Sequence, residues 1–245
     1  MTDQPSSATA SRQRPVYTAR IERIFDHAAD TRSLFLHIVE GGSLRFVPGQ
    51  FISISIPLSG ETRIRPYSLA SSPEDGEPLE ICFNQVPGGE GVRWLFGRIV
   101  GDTLSFTGPF GTFTMEHRPT VETVFVAEGT SIAPIRPMLR RALADSAHPA
   151  LSLLYAADAP EHLLYRDEIE QWARRDSHFS FDPIVVAPAD LHARMLEEVE
   201  RRWVKADANR RREFYVCGIG KGVIAIRDLL RGSGYERRAV HYEQW

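Results

Sequence analysis

Two cysteines, Cys82 and Cys217, are all that 245 residues contain, and they stand far apart. So small a supply excludes a disulfide framework and a four-cysteine iron–sulfur cluster carried by this chain. No apolar run approaches the roughly 20 residues that a membrane-spanning helix needs. There is no basic excess to neutralise a nucleic-acid backbone, since the formal net charge is −3. The eight histidines show no metal-ligand spacing, neither H-E-x-x-H nor a Cys/His pairing, so no metal site is expected. A G-x-S-x-G elbow is also missing, which leaves hydrolase chemistry without support. Residues 1–15 lack the apolar core of a secretory signal, and their Ser/Ala/Thr/Gln-rich composition predicts a disordered tail. The remainder, with 42% hydrophobic residues overall, suits one large domain or two compact ones. Cytoplasm is the expected location, with no membrane span and no nucleic-acid partner.

From Val16 to about Met115 short apolar segments alternate with turn residues. Examples are 32–39, 50–57 and 79–86, with turns at Gly41-Gly42, Pro48-Gly49, Asp75-Gly76 and Pro87-Gly88-Gly89. Many short strands with closely spaced turns predict an antiparallel barrel, interrupted by a short helix near 92–98. After Arg118-Pro119 the pattern changes. Strands near 123–127, 150–156, 179–186, 213–217 and 238–243 alternate with helices near 133–145, 165–175, 190–206 and 221–231. Near-continuous apolar strands between helices imply a parallel sheet covered on both faces. The expected fold class is therefore all-β plus α/β: a barrel over 16–118, then an α/β domain over 119–245.

Two motifs carry chemistry. In Arg65-Pro66-Tyr67-Ser68, alternate side chains of an extended segment share a face, so Arg65 and Tyr67 can address one ligand. A guanidinium suits phosphate oxygens, an aromatic ring suits a planar heterocycle, and Ser68 adds a hydrogen bond at the ring's edge. These are the needs of a flavin, although such a pair also occurs in ordinary half-exposed sheet. The second motif, Glu128-Gly129-Thr130-Ser131-Ile132-Ala133-Pro134, sits where the first parallel strand turns into its helix. Nucleotide phosphates bind at such turns, where helix N–H groups lack partners. A plain helix entry with a hydroxyl cap and a first-turn proline fits the same residues.

Together these motifs resemble the ferredoxin–NADP reductase superfamily. The resemblance runs over about 16–245 and includes Pro48-Gly49-Gln50-Phe51, Gly108-Pro109-Phe110-Gly111, Leu163 to Glu168 and Val216-Cys217-Gly218. It implies a flavin-dependent oxidoreductase that passes electrons from NAD(P)H through FAD to a separate partner such as ferredoxin, flavodoxin or an oxygenase component. Arg65, Pro66, Tyr67 and Ser68 would hold FAD, with Gly91, Val92 and Arg93 near its phosphates. Gly129, Thr130, Ser131, Pro134, Asp158, Cys217 and Gly218 would meet the nicotinamide nucleotide. Ser68, Cys217 and Glu243 would surround the reacting atoms. Glu243-Gln244-Trp245 resembles a glutamate–x–aromatic ending whose ring stacks on the flavin and moves aside for nicotinamide.

The chain departs from the family pattern at several places. Glu128 and Ser131 stand where the family carries glycines, and an acid beside a pyrophosphate is unfavourable unless it points away or meets Arg136. Val92 replaces a hydroxyl residue, which a helix N-terminus and Arg93 can offset. Asp158 favours a ribose hydroxyl over a 2′-phosphate and so leans toward NADH, while Arg166 keeps NADPH open. The rival reading is a flavin- or nucleotide-binding subunit without turnover, in which Glu128 and Ser131 mark a degraded nicotinamide site. The basic run Arg201-Arg202, Lys205 and Arg210 to Arg212 offsets a helix dipole and faces water, or docks an acidic electron carrier.

Overall fold

The computed structural model describes residues 15–74, 78–206 and 208–245. All of the expected tail but Pro15, and the Asp75-Gly76 turn, lie outside them. The first half holds β1 (Val16–Ala28), β2 (Thr31–Glu40), β3 (Phe51–Leu58), β4 (Glu61–Ser68), β5 (Leu79–Asn84), helix α1 (Glu90–Phe96) and β6 (Thr103–Phe110). These strands form one antiparallel sheet in the order β4-β3-β6-β1-β2-β5. A bridge between Leu69 and Ile81 draws its two edges together into a barrel. Alternation decides which side is in. Ile52, Ile54 and Ile56 of β3 are fully buried, while Ser53 and Ser55 between them are not. Each such isoleucine contributes about 1.5–3 kcal/mol of burial.

Gly49 joins the barrel to the second half of the chain. Its φ is +99°, and a Cβ there would collide with the carbonyl oxygen of Phe113 and the Met138 side chain. Only glycine permits that approach. The Met115 N–H donates to the Pro48 carbonyl, and the Leu69 N–H donates to the Gln50 carbonyl. The Pro48-Gly49-Gln50-Phe51 motif thus clamps the end of β4 against the chain leaving the barrel.

The second half runs β7 (Thr123–Glu128), α2 (Ile132–Leu143), β8 (Leu151–Ala157), α3 (Arg166–Arg175), β9 (Phe179–Val185), α4 (Pro188–Val199), β10 (Glu213–Gly218), α5 (Lys221–Gly232) and β11 (Val240–Gln244). The five strands are parallel, in the order β11-β10-β7-β8-β9. Period two sorts their side chains between two cores. Val124, Val126, Phe214 and Val216 pack with α4 and α5. Phe125, Ala127, Tyr215 and Cys217 pack in one cluster with Ala70, Cys82, Phe113 and Met115 from the barrel side. That parity aims Cys217 at the barrel. Among the described residues no helix is long and apolar enough to cross a membrane.

The expected helix over 190–206 is two pieces. The α-helix ends at Val199, and Glu200–Lys205 continues as a wider π-helical segment. At this widening buried Glu198 accepts from Arg201 and Arg202, and Trp203 packs edge-on against Phe214 in the core. Much of the basic run is paired within the chain. Arg202 also pairs with Asp182, Lys205 with Glu200 and Arg212 with Glu122. Arg210 donates to the carbonyls of Ser233 and Val204. Most of the run's charges thus have an acidic or carbonyl partner within the chain, while Arg201, Lys205 and Arg211 stay exposed.

Candidate functional site

On the barrel side the site is built from β4 and α1. Arg65 and Tyr67 stand opposite Ile54 and Ile52 of β3, and so share one face of β4. Arg65 is exposed, and its guanidinium donates to the neighbouring Ile64 carbonyl at 2.9 Å. Its stem passes close to Gly91 in α1. A Cβ on Gly91 would sit 3.3 Å from Ile56 Cδ1 and 3.5 Å from Arg65 Cγ. The missing side chain lets the first turn of α1 settle beside Arg65. That turn's N–H groups, ahead of the Arg93 N–H that donates to Gly89, have no helical acceptor. Val92 is half-buried against the barrel core and adds no hydroxyl, while Arg93 is exposed.

Tyr67 is half-buried and meets Phe83 edge-on at 5.6 Å; Phe83 in turn meets Phe96 at 5.4 Å. Burial pushes its phenol up to about 12, against the opposing pull of Arg65, so it stays neutral. Pro66, exposed on an edge strand, needs no ladder donor. Ser68 closes β4. Its Oγ is buried and has no hydrogen-bond partner. Buried polar atoms are rarely left so, and each such exception asks for an explanation.

On the α/β side, Cys217, Glu243 and Trp245 come together. β10 and β11 place Cys217 opposite Glu243. The Trp245 indole N–H lies 3.3 Å from Cys217 Sγ, and the Trp245 backbone N–H donates to the Gly218 carbonyl at 3.1 Å. Burial, with the Glu243 carboxylate next, raises the Cys217 thiol far above its ordinary value and keeps it protonated. Glu243 Oε2 is buried without a partner, and burial pushes that carboxyl up to about 7. Ser68 Oγ of the barrel, Ser131 Oγ at the start of α2 and Glu243 Oε2 of β11 are thus buried oxygens without a hydrogen-bond partner in the chain.

Beside this lies a groove over the C-terminal ends of β7 and β8, lined among others by Gly129, Thr130, Asp158, His162 and Asn84. Gly129 to Ser131 make a 3₁₀ turn into α2, with Gly129 at φ +50°. Thr130 Oγ1 donates to Asn84 Oδ1 of β5 at 3.3 Å, crossing to the barrel. Ser131 and Pro134 are buried at the start of α2. Tyr155 anchors the turn from beneath. Its hydroxyl is 2.9 Å from the Gly129 carbonyl and 3.1 Å from that of His162, and accepts the Leu164 N–H at 2.9 Å.

Glu128 does not meet Arg136. Its carboxylate accepts the Ile219 N–H at 3.1 Å and lies 3.2 Å from His192 Nε2, packed against Gly218. Arg136 instead turns to Glu80, Glu168 and the Ala70 carbonyl. Arg166 pairs with Glu170 at 2.6 Å along α3. Asp158 is 2.6 Å from His162 Nδ1, whose other nitrogen is 2.9 Å from Asp30 of the barrel. The sequence alone does not single out Asp30, Tyr155, His162 or His192. Only the Asp158–His162 spacing of four residues gives a local signal.

The family described as oxidoreductase FAD-binding domain matches residues 18–115, and that described as oxidoreductase NAD-binding domain matches 125–226. The chain is 29% identical over 237 residues to ferredoxin–NADP reductase B of Sorangium cellulosum, covering 94% of this chain and 97% of that one. It is 27% identical to the toluate 1,2-dioxygenase electron transfer component of Pseudomonas putida, covering 98% of this chain and 70% of the relative. Of the glycine betaine monooxygenase reductase subunit of Pseudomonas aeruginosa, also 29% identical, it spans only 56%. A solved cytochrome P450 reductase of Amycolatopsis superposes with a TM-score of 0.78 at 28% identity, covering 98% of this chain and 73% of that one.

Proposed function

The chain belongs to the ferredoxin–NADP reductase superfamily as an FAD-dependent NAD(P)H oxidoreductase, and we propose that it hands the electrons to a separate protein of the ferredoxin, flavodoxin or oxygenase-component class. The flavin, when bound, supplies the ability to take a hydride and release single electrons. The chain's own residues bind, orient and manage protons. Arg65 and the first turn of α1 hold the cofactor's phosphates. Tyr67 packs on its ring, and Ser68 Oγ donates at the ring's edge. Gly129, Thr130, Ser131 and Pro134 shape the turn that receives the nicotinamide nucleotide, with Asp158 at its ribose. Cys217, a neutral thiol next to Gly218, gives the nicotinamide a small apolar neighbour. Glu243 Oε2, half-protonated near neutrality, holds or accepts a proton there, and Trp245 shields the site until nucleotide arrives.

We divide the chain at about 118/119, with the barrel as the flavin domain and the remainder as the nucleotide domain. The cytoplasm is the proposed setting, where nicotinamide nucleotides circulate and free thiols such as Cys82 and Cys217 persist. One observation carries the reading: among the described residues each module leaves oxygens buried without a partner, Ser68 Oγ in the barrel and Ser131 Oγ and Glu243 Oε2 in the α/β module. The test is anaerobic. The purified protein should be yellow, bleach on NADH or NADPH, and then reduce an added ferredoxin. Yellow protein that no nicotinamide nucleotide bleaches would instead be a binding subunit.

A further inference from the structure

We propose that His162 is a proton-operated selectivity residue of the nucleotide groove: as an imidazolium it neutralises Asp158 and admits a 2′-phosphorylated dinucleotide, and as a neutral ring it leaves Asp158 to repel one. The proposal rests on the reading that this groove takes the nicotinamide nucleotide.

The geometry sets the protonation chemistry. His162 Nδ1 is 2.6 Å from Asp158 Oδ1 and Nε2 is 2.9 Å from Asp30 Oδ1. An ionised carboxylate only accepts, so both ring nitrogens must carry hydrogen, and only the imidazolium has two. A neutral ring can satisfy one partner and must face the other with a lone pair. Burial works against the charge, but the hydrogen bonds to Asp158 and Asp30 prevail and raise His162 above the ordinary imidazole value. The charged form therefore persists to higher pH than in an ordinary imidazole, and it is lost as pH rises through that raised value.

The surroundings make this charge matter. Asp158 stands at the end of β8, where α/β nucleotide sheets place the acid that meets the ribose 2′-hydroxyl. Glu128 and His192 face the groove from its other wall, and Glu161 sits on the same turn as His162. No lysine or arginine lines the groove among the described residues. A 2′-phosphate adds up to two negative charges beside Asp158, and His162 is the cation bonded to that acid. Asp30 reaches the ring from the β1–β2 turn, so the barrel itself holds the histidine in place.

The test is the pH dependence of selectivity in the holoenzyme. The NADH-to-NADPH ratio of kcat/KM is followed from about pH 6.5 to 9, above the phosphate's own titration near 6, in wild type, His162→Gln and Asp30→Asn. If the 2′-phosphate raises the His162 pKa by one unit, the ratio climbs about tenfold across the titration. His162→Gln should stay flat at the wild-type high-pH ratio, and Asp30→Asn should move the midpoint down. The His162 ring-proton resonance of nucleotide-free protein reads the same midpoint without turnover. NADP⁺ should raise it more than NAD⁺ does. A His162→Gln profile that copies wild type, or a midpoint indifferent to NADP⁺, overturns the proposal. If Asp158→Ala also leaves the affinity for both nucleotides untouched, the groove assignment itself has failed, and the fault lies beneath the proposal.

Discussion

Arg136 of α2 donates to Glu80 of β5 at 2.8 Å, with side chains only 9% and 2% exposed, and this buried ion pair joins the two modules. The other Glu80 oxygen accepts from Tyr165 and Ser33, each at 2.8 Å, while Arg136 also donates to Glu168 at 2.7 Å. Removing one member of such a network strands a charge without water. Arg136→Ala should cost about 3–5 kcal/mol of stability. Denaturant unfolding checks it, and a loss under about 1 kcal/mol would show the network to be dispensable.

Arg136 also marks what the sequence conceals. The barrel-then-α/β architecture was legible because strand and helix periodicities repeat locally, and R-P-Y-S with the Gly129 turn together suggested a flavin and nucleotide site. The partners of a buried charge leave no such trace, since Glu80 and Arg136 lie 56 residues apart and His162 and Asp30 lie 132 apart. Glu128 was readable as an anomaly but not as a satisfied one, because its acceptor role depends on Ile219 arriving from another strand end. The Arg201–Arg212 run shows the same limit from the other side. Charges adjacent in sequence look like a patch until Glu198, Asp182 and Glu122 fold onto them.

Arg65 is exposed and its guanidinium bonds a backbone carbonyl, so its removal should leave the fold intact. A charge-assisted hydrogen bond to phosphate is worth about 1.5–3 kcal/mol. Arg65→Ala should therefore weaken FAD binding by about tenfold or more, with little change in the apoprotein's unfolding midpoint. Full flavin occupancy of this variant at limiting FAD would remove Arg65 from the site.

In the proposed nucleotide groove Asp158 would set an acid where a 2′-phosphate wants a base, and Arg166 is occupied with Glu170. At about pH 8, where the phosphate is fully ionised, NADH should reduce the flavin with higher kcat/KM than NADPH. Stopped-flow reduction with each nucleotide decides this. A preference for NADPH by tenfold or more would sink the assignment of Asp158.

Glu243 carries a pH signature. Its folded-state pKa, pushed by burial to about 7, lies above the ordinary 4.5 of a glutamate. Below pH 4.5 both folded and unfolded forms are protonated and nothing is lost. As pH rises the unfolded chain ionises first, and the penalty on the fold grows until about pH 7 and holds beyond. Glu243→Gln, always neutral, should match wild type near pH 4 and exceed its stability above about pH 8. Allowing for partial contact with water, the gain is about 1–2 kcal/mol. Melting curves at the two pH values test this, and equal differences at both would show the carboxyl to be unperturbed.

Trp245 is held at its backbone by Gly218 and at its indole N–H by Cys217 Sγ, yet is 42% exposed. The ring is fixed at the edge of the site without being buried in it. If it covers the flavin, incoming nicotinamide must displace it, and that cost lowers the apparent nucleotide affinity. An offset aromatic stack contributes about 0.5–1.5 kcal/mol beyond burial, so Trp245→Ala should tighten NAD(P)⁺ binding about two- to tenfold. Turnover should slow, because the product loses the group that competes it away, and the flavin spectrum should shift as the ring loses its neighbour. A tryptophan that merely docks β11 predicts something else: a lower melting temperature, with nucleotide affinity and spectrum unchanged. Trp245→Phe sharpens the choice, since it keeps an aromatic face but loses the indole N–H that reaches Cys217. It should retain wild-type affinity if stacking is what matters, and behave like alanine if the sulfur contact is. Titrating NAD(P)⁺ into the three proteins while recording flavin absorbance separates these outcomes. Identical dissociation constants and spectra in all three would take Trp245 out of the site.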